Sequence, residues 1–283
     1  MPRRGGIAHG FALLGQMLGD NATQIVVVVV KDQHPIRRDG AGEDVLRGQY
    51  LRQIEGRCGD LERGIKPLGP TRPCSNRNVV GAKVQRGLGI EGPKEGEGEQ
   101  ARYLEADVNG VRICNLYLPN GNPHPGPKFD YKLAWMERLR ARMAELWAQE
   151  IPTVVLGDFN VIPEDKDVWS VRAMANDALM QPESRDAYRR MLGDGWTDAI
   201  DTLNPRGGVW TYWDYQAGAW QRDHGFRIDH LLLSPELADR MQAAGVDKEY
   251  RGREKASDHA PVWVSRQMAH DKRNTPSEIA SRS

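Results

Sequence analysis

Asp158 and Asn160 close an apolar run, Val154-Val155-Leu156-Gly157, with a single Phe between them. Other polar residues stand in like places: Tyr117 in "NLYLPNG", Asp229 in "RIDHLLLS", and Asp258 with His259 in "SDHAPVW". Carboxylates and an imidazole are groups that move protons or meet a hard cation. A strand end beside a loop is where a rigid sheet can aim them. A strand has period two, so Asp158 and Asn160 are expected to point the same way from one sheet edge. Gly157 is expected to let the backbone bend there. Taken singly, each residue has a plainer use. Asp158 and Asn160 suit a turn, Tyr117 a strand, Asp229 a turn, Asp258 a cap or turn, and His259 a lone surface position.

The elements that must position these residues are legible from about Gln100 onward. "ARYLEADV" and "VRICNLYL" read as a hairpin around Asn109-Gly110. "PNGNPHPGPKFD" reads as a loop rich in proline and glycine. "YKLAWMERLRARMAELWAQE" carries Leu133, Met136, Leu139, Met143, Leu146 and Trp147 at helical spacing, with Pro152 to help stop it. A strand "TVVLGDFN", a helix near "SRDAYRRMLGDG", the segment "GWTDAIDTL", an aromatic strand "VWTYWDYQ", a strand "RIDHLLLS", a short helix "PELADRMQAAG" and a last strand "APVWVSRQ" follow. Strands and helices alternate in an α/β pattern with many antiparallel neighbours.

A chain of 283 residues can bury a sizeable core. Its formal net charge is zero, so a nucleic-acid partner would need a local basic patch. Cys58, Cys74 and Cys114 are few, odd in number and without zinc spacing, which argues against a disulfide scaffold and for a reducing, cytoplasmic setting. The longest apolar run, "QIVVVVV", is too short to span a membrane, and no small-residue cleavage site follows it. That run could form a central strand or an aggregation-prone segment.

The motifs "EQARYLEA", "NLYLPNGNP", "YKLAWMERL", "GDFNVIP", "WTYWDYQAGAWQ", "RIDHLLLSP" and "EKASDHAPVW" together resemble the exonuclease III family of the endonuclease/exonuclease/phosphatase superfamily. The resemblance covers residues 99–267. It implies a DNase I-like α/β fold, a four-layer sandwich of two mixed sheets flanked by helices. It also implies a monomeric magnesium-dependent phosphodiesterase, with manganese as an alternative metal. The implied substrate is double-stranded DNA, cut 5′ to abasic sites and trimmed from 3′ ends in DNA repair. By the resemblance, Asp158 would activate water or protonate the leaving oxygen, and Asn160 would orient it and help to hold the metal. Asp229 would bond His259, whose imidazole would stabilise charge on the phosphate. Asp158, Asn160 and Asp258 would form the metal set, and Tyr117 would hydrogen-bond the phosphate. Arg102, Lys128, Tyr212, Trp213 and Trp220 would meet DNA, the aromatics around an extruded sugar or stacked on bases. Their plainer readings are core aromatics and solvated surface charge. The aromatics of "WDYQAGAW" argue against a superfamily phosphodiesterase with a non-DNA substrate.

Residues 1–98 depart from that pattern. The family's "WN-N", "QE-K" and "YNG-A" signatures, the second of which carries a metal-binding Glu, have no clear counterpart there. "QIVVVVVKDQ" has the length of the second strand without its Glu, and "NVVGAKVQRG" only shadows the third. This segment therefore reads as an atypical or degenerate half, such as a frameshifted or mis-started frame would give. The expectation is weakened activity or an inactive DNA-binding remnant. Residues 268–283 read as a disordered tail.

Overall fold

A computed structural model of the chain describes residues 12–18, 22–28, 85–92, 98–108 and 110–267. Two sheets form its frame. The first has six strands in the order β3 (Gln85–Arg86), β4 (Tyr103–Val108), β5 (Val111–Tyr117), β6 (Thr153–Asp158), β8 (Asp229–Leu233) and β7 (Thr197–Asp198). The second runs β1 (Ala12–Leu18), β2 (Ala22–Val28), β10 (Val262–Gln267), β9 (Met241–Val246). Among the described strands only β5 and β6 pair in parallel; the other neighbours are antiparallel. The first three valines of the run, Val26 to Val28, end β2, which lies between β1 and β10.

β5 and β6 are parallel, so a crossover must join them, and it is α1 (Pro127–Trp147), entered through Pro at its first turn. The buried stripe of α1 is Phe129, Lys132, Trp135, Met136, Leu139, Met143 and Leu146. The expected stripe differs at its edges: Leu133 is only partly buried and Trp147 is exposed. α1 and α3 (Pro182–Gly193) cover one face of the six-stranded sheet through Cys114, Leu116, Val155 and Leu232. The opposite face, with Val111, Ile113, Val154, Leu156, Leu231 and Leu233, packs on Val262 and Val264 of the second sheet. Arg142 of α1 grips Glu105 of β4 with two hydrogen bonds, 2.7 and 2.9 Å. Among the described residues there are also three short helices: α2 (Val171–Met174), α4 (Ala199–Leu203) and α5 (Pro235–Ala238).

Two expected elements take another form. "VWTYWDYQ" is not a strand; Tyr212 makes only isolated bridges, to Phe226 and His259. The expected helix "PELADRMQAAG" stops at Ala238, and Met241–Val246 pairs with β10 as β9. Tertiary pairing with a neighbouring strand overrides helix propensity there. Cys114 is a buried free thiol. Among the described residues no helix is long and apolar enough to cross a membrane. The expectations for the family's N-terminal signatures, for Cys58 and Cys74, and for the tail 268–283 fall mostly or wholly outside the described residues.

Candidate active site

Strand register assembles the site. Asp158 ends β6, with Tyr117 opposite it on β5 and Asp229 opposite it on β8. Residues in one such row project from the same sheet face, here the face that packs on the second sheet. Gly157 precedes Asp158 at φ 137, and a Cβ on it would lie 2.0 Å from the Leu116 carbonyl oxygen. Only glycine lets β6 run this close to β5 at the point where the acid is presented.

Asn160 reaches the site by a different route from the expected alternation. β6 ends at Asp158, and Asn160 adopts a left-handed backbone, φ 48, a conformation Asn tolerates better than most residues. Its backbone N–H donates to Asp158 Oδ1 at 2.9 Å, and its Nδ2 donates to Asp158 Oδ2 at 3.2 Å and to the Leu118 carbonyl at 2.8 Å. Its Oδ1 accepts from Asn120 Nδ2 at 3.0 Å. The turn-forming and site-building uses of this pair are thus one geometry. Asn160 grips both oxygens of Asp158.

Asp258 and His259 arrive from the other sheet, just ahead of β10. The segment 211–213 fastens them: Trp213 N–H donates to the Asp258 carbonyl at 2.9 Å and Ala260 N–H to that of Thr211 at 2.8 Å. His259 Nδ1 and Asp229 Oδ2 are 2.8 Å apart, while Nε2 lies 4.0 Å from Asp158 Oδ2. Burial alone would push the imidazole down. The Asp229 carboxylate, helped by Asp158 and Asp258, outweighs it and raises His259 to about 9. The surrounding carboxylates thus favour the protonated ring, with Nδ1–H donated to Asp229. Nε2 is buried and has no hydrogen-bond partner among the described residues.

Nε2 faces a pocket of about 450 Å³ lined by Asp158, Asn160, Asn120, Tyr212, Phe226 and Trp169, among others. Asp229 is fully buried behind His259. Of the expected DNA-contacting aromatics, Tyr212 lines the pocket, and burial raises its hydroxyl to well above the ordinary range. Trp213 does not: it is 0 % exposed, with Nε1 donating to Asp223 Oδ1 at 2.9 Å, so it is a core residue that cannot stack on a base. Trp220 packs edge-on against Trp213, with the Arg251 guanidinium 5.6 Å from its ring. Arg102 lies over the Tyr117 ring at 4.8 Å and donates to the Tyr117 carbonyl at 3.2 Å. Lys128 is exposed on the first turn of α1.

Several residues that shape the pocket escaped the sequence reading. Lys132 is 0 % exposed, and its Nζ donates to the carbonyls of Asn160, Asn120 and Ala178 at 2.7, 3.2 and 3.3 Å. Those three carbonyls belong to three loops around the pocket, so one ammonium ties them together. Desolvation pulls its pKa down to about 7. Its signal was present: a lysine on the same helical stripe as Met136 and Leu139. Below the site, Arg227 binds Asp167 at 2.9 Å and Asp198 at 2.6 Å, and Tyr188 donates to Asp198 at 2.8 Å.

Magnesium takes oxygen ligands and often leans on only one or two protein carboxylates. Asp158 and Asp258, which both act on the His259 charge, offer that donor chemistry. Among the described residues no cluster of three or more His, Cys, Asp or Glu side chains forms a metal site. Asp158 and Asp258 thus supply carboxylate oxygens of the kind a hard divalent cation takes. Asn160 contributes by fixing Asp158.

The sequence pattern of the endonuclease/exonuclease/phosphatase family matches residues 54–259, starting ahead of the motifs that begin near residue 99. The chain is 29% identical over 181 residues to an exodeoxyribonuclease of Bacillus subtilis, spanning 64% of this chain and 68% of that protein. It is 29% identical over 196 residues to exodeoxyribonuclease III of Haemophilus influenzae, spanning 64% and 71%. Among solved structures, it resembles the 3′ phosphatase NExo from Neisseria bound to product DNA hairpin, with 34% identity, TM-score 0.61, and 65% and 70% of the two chains covered. An AP endonuclease from Archaeoglobus fulgidus gives 33%, 0.60, 66% and 70%.

Proposed function

The chain belongs to the endonuclease/exonuclease/phosphatase family, and from that premise we propose that it hydrolyses phosphodiesters of duplex DNA as an exodeoxyribonuclease III-like repair nuclease, cutting 5′ to abasic sites and trimming 3′ ends. One observation carries the reading: a buried Asp229–His259 pair turns Nε2 into the pocket 4.0 Å from Asp158, itself held at both oxygens by Asn160. That pairs a fixed cation with a fixed carboxylate, the two charges phosphodiester hydrolysis needs.

Asp229 holds Nδ1–H, so the Nε2–H of the imidazolium is free to donate to a non-bridging phosphate oxygen, where negative charge grows. Asp158 takes a proton from the attacking water as the water oxygen bonds to phosphorus. The bond from phosphorus to the leaving oxygen breaks, and that oxygen takes a proton, which the same carboxyl can return. Asn160 keeps the carboxylate aimed. Tyr117, one strand over from Asp158, hydrogen-bonds the phosphate, and Arg102 above its ring adds positive charge there. Tyr212 lines the wall beside the reacting group. Trp220 and Lys128 lie outside the residues that line the pocket and are proposed as contacts to flanking DNA. Family members are generally divalent-metal-dependent nucleases. Magnesium, or manganese, would be held by Asp158 and Asp258 and would neutralise charge on the phosphate.

The test is incision of a duplex carrying one abasic site, in magnesium. Asp158→Asn is expected to slow incision by about 10²-fold or more with an unchanged circular dichroism spectrum. Near-normal turnover by the folded variant would remove Asp158 from the chemistry.

A further inference from the structure

The pocket continues away from Asp158 and His259 to a second pair of rings. Trp169 and His224 lie face to face, centroids 3.7 Å apart and planes within 3°. Backbone bonds fix both: Trp169 N–H donates to the Gly225 carbonyl at 3.0 Å, and His224 N–H to that of Ala219 at 2.9 Å. Gly225 between them is tightly packed, since a Cβ there would lie 2.6 Å from Trp213 Nε1 and 2.7 Å from Trp210 Cβ. The platform therefore rests on the core. The imidazole already covers one face of the indole, yet Trp169 remains 38 % exposed. Exposed Arg222 lines the same end of the pocket.

Resting on the function proposed above, we propose that Trp169, backed by His224, is a stacking subsite for a nucleobase next to the phosphodiester that Asp158 and His259 engage. A flat, rigid, half-open indole suits a flat π-surface. Every base has one, whereas an abasic sugar has none. Arg222 beside it suits a backbone phosphate. Of a DNA strand's parts, the base is the one that matches the ring pair, so this subsite reads the neighbour of the lesion without reading its sequence.

The probe is a duplex with a stable abasic-site analogue, flanked on one side or the other by 2-aminopurine, titrated with the full chain without metal. The protein is expected to quench 2-aminopurine on one side only. Trp169→Ala is expected to abolish that quench and to weaken binding about 5- to 150-fold, the range for loss of one stacked base, while Trp169→Phe keeps most of both. Replacing that flanking base with a spacer should weaken the unaltered protein by a similar factor and leave Trp169→Ala unchanged. Equal quenching and affinity for Trp169→Ala, or an equal loss on spacer and base-bearing duplexes, overturns the subsite. The spacer comparison on the unaltered protein decides it even if Trp169→Ala does not fold. Binding without quenching on either side overturns the subsite and leaves the nuclease reading standing. No duplex binding at all overturns both.

Discussion

Two histidines 29 positions apart in sequence show how single residues are set to opposite tasks by their neighbours. His259 is raised to about 9 because Asp229 outweighs burial. His230 is lowered to about 4, by burial first and then by the Arg227 cation, with Asp198 pulling the other way. An arginine can only donate, so His230 Nδ1 accepts from Arg227 at 2.9 Å and Nε2–H donates to the Val161 carbonyl at 2.9 Å. The groups facing it are Arg227, Asp198, Asp167 and Tyr188. His230 therefore folds neutral and must charge on unfolding in acid. Its pKa is depressed on folding, so its contribution is complete above pH 6.5 and is lost as pH falls towards 4. The gap between 6.5 and about 4 is worth about 3 kcal/mol. Urea unfolding at pH 7.5 and 4.5 should show His230→Gln losing less stability between the two than the unaltered protein. Parallel losses would place the acid sensitivity elsewhere. Asp158, Asn160, Asp229 and His259 could be picked from sequence because each stands at a strand end or in the loop beside one. Lys132 left a trace, a lysine on the apolar stripe of α1, whereas Trp169 and His224 left none, because they stand on loops that meet only in three dimensions.

At the scale of elements, β6 does most of the positioning, and Gly157 is its least replaceable residue. Gly157→Ala puts a methyl 2.0 Å from the Leu116 carbonyl and forces a left-handed backbone on alanine. It is expected to cost more than about 2 kcal/mol in denaturant unfolding and to displace Asp158. A variant as stable as the parent would show that β5 and β6 can separate without penalty. The hairpin β4–β5, the helix α1 and the strands β6, β8 and β10 were legible because apolar period and turn residues agree. β9 was not, since "MQAAGV" carries no strand period and is made a strand by its partner β10. The aromatic run at 209–216 misled in the other direction. Its β propensity is real, but its residues are spent on the core at Trp213 and the pocket at Tyr212.

At the scale of the molecule, the site lies between two sheets, and the residues before 99 supply β1 and β2 to one and β3 to the other. The pairing of β2 with β10 joins that segment to the strand that follows His259. With a net charge of zero, the proposed DNA binding would fall to local features such as Arg102, Arg222 and His259. We propose that residues 99–267 carry a competent nuclease half-site and that the first 98 residues limit its metal supply. The most direct measurement is incision of an abasic-site duplex against magnesium concentration, for the chain and for a hybrid whose residues 1–98 are replaced by an ordinary family N-terminal half. Rapid incision by the hybrid at low magnesium is expected, and slow incision or none by the chain. A hybrid that folds but does not incise at any magnesium concentration would contradict the competence of the half-site, and equal magnesium curves would contradict the limit placed on the first 98 residues.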